Sequence, residues 1–169
     1  MVIMQTISND IEPIFSKADI YNILKSINDP EIPVLSIVDL GIVRGVFIKD
    51  GNFEIIITPT YSGCPAMDVI TMEIRLRLLE NEIKNFKIIP QLSPAWTTEW
   101  MTEEGKQKLS AYGIAPPTVR SLEGSENSIQ CPQCHSYDTK LLSEFGSTSC
   151  KSLYQCNTCN EPFDYFKCH

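Results

Sequence analysis

The sequence predicts an α+β protein: a small α-β-β-α-β unit, a helical extension, and a C-terminal ribbon built on four cysteines. Two stretches with helical apolar spacing, Lys17 to Ile27 and Ala66 to Ile83, alternate with runs rich in Ile, Val and Phe. Asp50-Gly51 separates two of those runs and is the two-residue signature of a tight antiparallel hairpin. Cys131-Pro-Gln-Cys134 and Cys156-Asn-Thr-Cys159 form two C-x-x-C knuckles near the end of the chain. The expected division is residues 1–115, a linker over 116–128, and the ribbon over 129–169.

Ser16 can cap the first helix, with Asp19 three residues on as the return half of a capping box. Ile20, Leu24 and Ile27 fall on one face, and Asn28-Asp29-Pro30 ends the helix because the residue before a proline is pushed out of the helical region. A proline-pinned connection follows, carrying Asp29, Glu31 and Asp39; such acids serve turns and caps, or a site. Ile42 to Lys49 and Asn52 to Thr58 are the hairpin strands, and Ile55-Ile56-Ile57 lacks alternation, which predicts cover on both faces. The second helix offers a wide stripe, Met67, Ile70, Ile74 and Leu78 flanked by Met72, Leu76, Leu79 and Ile83. Glu73 with Arg77, and Glu80 with Lys84, are spaced as surface pairs worth a few tenths of a kcal/mol each. Phe86 to Leu92 closes the unit as a third strand.

In the extension, Thr102 can cap a helix from Glu103 to Tyr112 that Gly113 and Pro116-Pro117 terminate. Trp96 and Trp100 are expected to pack on the first unit, or else to form a partner surface. The Pro, Ser, Gly and Glu content that follows reads as linker.

The totals exclude several classes of function. A net charge of −7 opposes a nucleic-acid surface, and no apolar run is long enough to span a bilayer. Residues 1–15 carry acids but no Lys or Arg, so they lack the basic start of an export signal. A cytoplasmic, reducing location is expected, where seven cysteines point to metal or thiol chemistry rather than disulfides.

Cys64 stands apart from the other six, in Thr58-Pro-Thr-Tyr-Ser-Gly-Cys-Pro65, the loop between the second strand and the second helix. Pro65 fits the first helical position, which leaves Cys64 beside unpaired N–H groups and the positive end of the helix dipole. A depressed thiol pKa is expected there; the bland alternative is a small buried apolar residue.

Cys131, Cys134, Cys156 and Cys159 can close a tetrahedron around a structural Zn2+, leaving no open position for catalysis. The 21 residues between the knuckles exceed the usual spacing by one. A segment this short has little core, so metal binding would supply most of its stability, on the order of 10 kcal/mol. Its strands are expected at Thr139–Glu144, Ser152–Gln155 and Pro162–Lys167. Cys150, Cys168, His135 and His169 remain: they are packing groups, or Cys150 and Cys168 are additional ligands, and six cysteines could also hold an iron-sulfur cluster.

Asp29-Pro-Glu-Ile-Pro33, Asp39-Leu-Gly-Ile-Val43 and the Cys64 loop resemble the small domain of SufT-type iron-sulfur assembly factors. Ser93-Pro-Ala-Trp-Thr-Thr-Glu-Trp100, Tyr112-Gly-Ile-Ala-Pro-Pro117, Phe145-Gly-Ser-Thr-Ser-Cys-Lys151 and Glu161-Pro-Phe-Asp-Tyr-Phe-Lys-Cys-His169 narrow the resemblance to the PaaD (also called PaaJ) family of the phenylacetyl-CoA epoxidase system. That resemblance covers nearly the whole chain from residue 17. It implies an accessory protein, not itself an enzyme, that helps iron-sulfur or metal-dependent components of a ring-epoxidising oxygenase to mature. It also implies that Cys64 touches a transient iron ion or cluster, with Asp29 and Glu31 nearby, and that the partners are the oxygenase and reductase components.

Two other readings stand beside this one. A docking subunit would use the Trp96 and Trp100 region and the ribbon as contact surfaces, with no role for Cys64. Thiol catalysis by Cys64 would need His135 or His169 to fold over from the tail, because no histidine precedes residue 130. Nucleic-acid binding by the ribbon is opposed by Asp138, Glu144, Glu161 and Asp164 among its few lysines. The sequence leaves a homodimer open.

Overall fold

The computed structural model describes residues 15–117 and 129–167. The chain runs α1 (Lys17–Lys25), β1 (Val43–Lys49), β2 (Asn52–Ile57), α2 (Ala66–Glu80), β3 (Phe86–Pro90), a 3-10 turn (Thr98–Trp100), α3 (Glu103–Tyr112), β4 (Ile114–Ala115), β5 (Thr139–Ser143), β6 (Lys151–Cys156) and β7 (Pro162–Phe166). The helix-strand-strand-helix-strand order, the extension and the ribbon strands are those the sequence predicts. Most of the expected linker, together with Cys168 and His169, lies outside the described residues.

Local chemistry accounts for the element boundaries. Ser16 and Asp19 form the reciprocal capping box of α1, and Thr102 accepts from the Gly105 N–H at the start of α3. Asp50 and Gly51 both take positive φ, 50° and 73°, which a two-residue hairpin of the right twist requires. β1 and β2 are antiparallel, and β3 lies parallel to β2 after the α2 crossover. One core joins Ile20 and Leu24 of α1, Ile55 and Ile57 of β2, and Ile70 and Ile74 of α2.

Two expectations about cover are corrected. Along β2 only Phe53, Ile55 and Ile57 are buried, while Glu54 and Ile56 are half-buried, so the second face is only partly covered. On α2 the buried line is Ala66, Ile70, Ile74 and Leu78; Met72, Leu76 and Leu79 are exposed, Met72 by 64%. A sheet of three strands is too narrow to cover a wide helical stripe. The Glu80 to Lys84 pair also fails, because α2 ends at Glu80 and the chain turns through Glu82 at φ 61°; Arg77 reaches Glu73 and Glu80 instead.

The ribbon is docked on the first unit. Its sheet has the order β4-β7-β6-β5, so Ile114–Ala115, which precedes the linker, pairs in parallel with Asp164 and Tyr165 of β7. Trp96 is 3% exposed, donates its indole N–H to the Leu40 carbonyl at 2.9 Å, and meets the Phe166 ring edge-on at 5.9 Å. Trp100 lies under the Arg44 guanidinium, 3.4 Å from the ring centroid, with its backbone pressed on Gly41, whose φ of +70° suits glycine. Both tryptophans are thus packing residues. Among the described residues, no helix is long and apolar enough to cross a membrane.

Candidate metal and thiol site

The connection between α1 and β1 is held by its own acids. Asp29 is buried, and its Oδ1 accepts the N–H groups of Glu31 at 2.8 Å and Ile32 at 2.9 Å. Burial pushes its carboxyl above the ordinary value in spite of those two donors. Asp39 accepts from Lys108 at 2.9 Å and from the Ser36 N–H at 3.2 Å, tying the same connection to α3. Two of the three acids are therefore committed to turns. Glu31 is half-buried, and its carboxylate faces the ribbon instead.

Cys64 sits one residue before the Pro65 cap of α2 and is half-buried, in a turn where its N–H donates to the Tyr61 carbonyl. Its sulfur is hydrogen-bonded to the Ala66 N–H and to the Tyr61 side chain. The expected depression of its pKa is corrected: burial pushes the thiol up, and the charges of Glu31 and Asp29 add to that, outweighing the Ala66 N–H and the tyrosine. The helix start does supply the expected donor, and the resemblance puts Asp29 and Glu31 nearby; the expectation of a depressed pKa left their charge and the burial out of account. Those acids oppose an unpaired thiolate; they would attract a divalent cation, whose charge reverses the balance.

The ribbon reaches the same place. Ser149 is hydrogen-bonded to Tyr61, and the Cys150 sulfur stands 3.6 Å from Glu31 Oε2 and 3.0 Å from the Thr148 hydroxyl. Cys150 is 4% exposed and belongs to the core of the first unit, so it is separate from the knuckle sulfurs with which its sequence position grouped it. A cavity of about 460 Å³ opens alongside, lined by Thr58, Tyr61, Ser62, Trp96 and Ser149 among others. The buried Thr58 hydroxyl on its wall has no hydrogen-bond partner among the described residues. Tyr61, Ser149 and the placement of Cys150 escape sequence reasoning; the arithmetic of four knuckle ligands does leave Cys150 without a task in the ribbon.

At the far end of the ribbon, the sulfurs of Cys131, Cys134, Cys156 and Cys159 all lie within 4.8 Å of one another. Cys131 and Cys159 are 3.8 Å apart, and Cys134 and Cys156 3.5 Å. With bonds of about 2.3 Å from metal to sulfur, two thiolates on a tetrahedral ion stand about 3.8 Å apart, so this donor set fits such an ion. Backbone N–H groups of Cys159 and Thr158 help draw the Cys156 thiol down to about 6, readying a ligand. His135 is exposed, at the end of the first knuckle with φ 61°.

Two known families match separate parts of the chain. Residues 17–80 match the family described as iron-sulfur cluster assembly protein, and residues 115–167 match the PaaD zinc beta ribbon domain. The chain is 48% identical over 151 residues to an Escherichia coli protein whose name makes it one component of a "Putative 1,2-phenylacetyl-CoA epoxidase", covering 89% of this chain and 92% of that one. It is 33% identical over 96 residues to an Fe-S protein maturation auxiliary factor of Porphyromonas gingivalis, covering 56% of this chain and 90% of that one. Among solved structures, a domain of unknown function, DUF59, from Bacillus anthracis is similar at 29% identity and a TM-score of 0.51, over 55% of this chain and 90% of that one.

Proposed function

The chain belongs to the PaaD family of the phenylacetyl-CoA epoxidase system, and from that premise we propose that it is a maturation factor for the iron-sulfur or metal-dependent components of such an oxygenase. It acts as an accessory protein of the iron-sulfur assembly type rather than as an enzyme on the organic substrate. The observation that carries the reading is the Cys64 thiol, half-buried at the start of α2 and overlooked by Glu31. A soft sulfur beside a carboxylate suits an iron ion or a cluster edge held briefly and passed on. Iron is cargo here. Asp29 acts at one remove, holding the backbone of the turn by accepting the N–H groups of Glu31 and Ile32.

The ribbon's four cysteines would hold a structural Zn2+, which contributes folding energy and leaves no open position. The ion's task is then to keep β4 to β7 assembled against Trp96. The alternative of a docking subunit keeps the ribbon as a contact surface but loses the Trp96 ring, which is packed within the chain, while Trp100 is half-buried under Arg44.

Cys64→Ser tests the proposal. Client reductase or oxygenase produced beside the variant should carry at least several-fold less iron-sulfur cluster than client produced beside the wild type. Equal loading would end this reading of Cys64.

A further inference from the structure

The cavity of about 460 Å³ beside the Cys64 loop is walled by three parts of the chain: that loop, the segment after β3 with Leu92 and Trp96, and Ser149 of the ribbon. None of its nine wall residues carries a formal charge, in a chain with 14 basic and 21 acidic residues. The occupant it suits is therefore uncharged, since a charge would leave water without a partner there. Leu92 is 66% exposed, which leaves apolar surface open on that wall.

One polar group on the wall is left over. Tyr61 and Ser149 are hydrogen-bonded to each other. Thr58 is 1% exposed, and its hydroxyl has no hydrogen-bond partner among the described residues, although its backbone N–H donates to the Ile42 carbonyl at 2.8 Å. A buried hydroxyl without a partner destabilises the free protein, and a bound atom that bonds it removes that cost.

The position ties the cavity to Cys64. Ser62 on its wall stands two residues before Cys64, at most about 7 Å away along the backbone. The Tyr61 carbonyl accepts the Cys64 N–H at 3.2 Å. A client that offers its own ligands at Cys64 lays its neighbouring residues over this opening.

We propose that the cavity is a docking pocket for the client, taking one uncharged aromatic side chain with a polar tip, of the Tyr or Trp kind, that hydrogen-bonds the Thr58 hydroxyl. The ring would lie against Pro59, Leu92 and Trp96, which leaves its tip for Thr58. Such rings anchor protein interfaces in desolvated pockets. The inference rests on the maturation reading given above, and it assigns this pocket to holding the client rather than the iron.

The test is NMR titration of the full-length, zinc-loaded protein with N-acetyltyrosinamide and N-acetyltryptophanamide, and with N-acetyllysinamide as a charged control. Saturable shifts of the Thr58, Ser62 and Leu92 amides are expected with an aromatic probe and not with the lysine one. Thr58→Val keeps the side-chain shape, so it should fold, melt higher than the wild type, and bind the aromatic probe about fivefold more weakly. Ala95→Trp fills the opening from an exposed position. It should abolish the shifts and lower the cluster content of client produced beside it several-fold, with its own Fe2+ binding unchanged. No saturable shift with either aromatic probe, or equal probe binding by Thr58→Val, overturns the inference. Probe binding with client loading untouched by Ala95→Trp would mark a small-molecule site and overturn the docking role. Loading lost in Cys64→Ser but kept in Ala95→Trp leaves the Cys64 reading standing without this one, whereas loading kept in Cys64→Ser ends that reading and leaves the titration to decide the pocket. Should Ala95→Trp fail to fold, the Thr58→Val titration decides.

Discussion

The Cys150 sulfur lies 3.6 Å from Oε2 of Glu31, a residue 119 positions earlier in the chain. The ribbon therefore touches the candidate site of the first unit, and disturbing its four-cysteine cluster should be felt there. Cys131→Ser removes one of the four clustered sulfurs, and the ribbon should lose its ion and most of its stability, on the order of 10 kcal/mol for comparable zinc peptides. Tryptophan emission should shift to the red as Phe166 leaves Trp96. Unchanged emission after metal loss would mean that the docking does not depend on the ion.

The Trp96 and Phe166 rings meet edge-on within one core. Trp96→Ala or Phe166→Ala should each cost about 3–5 kcal/mol in denaturant unfolding. Because the two touch, the double variant should lose less than the sum of the singles, by about 0.5–1.5 kcal/mol. Strict additivity would show that the units are energetically independent.

Asp39 is buried and hydrogen-bonded to Lys108, whose side chain is 40% exposed, and to Ser36. Burial alone would raise the Asp39 carboxyl, but Lys108 and Ser36 together hold it below the ordinary value. A carboxyl with a depressed folded pKa stabilises the fold above its unfolded value and loses that contribution as the pH falls below about 4. Asp39→Asn should destabilise by about 1–2 kcal/mol at neutral pH, because the Lys108 left behind is solvated and keeps Glu104, and should flatten the fall in stability in that acid window. An unchanged acid profile would show that Asp39 has no part in acid unfolding.

Much of the fold is legible from short-range chemistry. Ser16 with Asp19, Asp50-Gly51, and Thr102 with Gly113 each mark an element end by interactions within three or four residues. The knuckles declare the ribbon because each holds both of its sulfurs on one turn. What the sequence conceals is set by distant partners. The Cys64 thiol is raised first by burial and then by two acids of the α1–β1 connection, which the family resemblance and not any local spacing puts near it, and the exposed side of α2 reflects the width of a sheet that no local pattern reports. Cys150 illustrates both cases: its neighbours in sequence suggest the ribbon, and its neighbours in space are Glu31 and the first core.

Removing the Glu31 carboxylate separates its role from that of Asp29. Glu31→Gln should keep the turn, because Asp29 bonds the backbone N–H of residue 31 and not its side chain, so the melting temperature should move little. Fe2+ binding should weaken about tenfold or more. Asp29→Asn, in contrast, should lower stability by about 1–3 kcal/mol by weakening two buried backbone bonds. Equal loss of stability in both variants would mean that Glu31 is structural.

The most direct test is metal analysis of protein purified without oxygen, wild type beside Cys64→Ser. About one zinc per chain is expected in both, from the four ribbon cysteines, with iron bound only by the wild type. Iron in equal amount in both proteins, or in neither after incubation with Fe2+, would contradict a cargo role for Cys64.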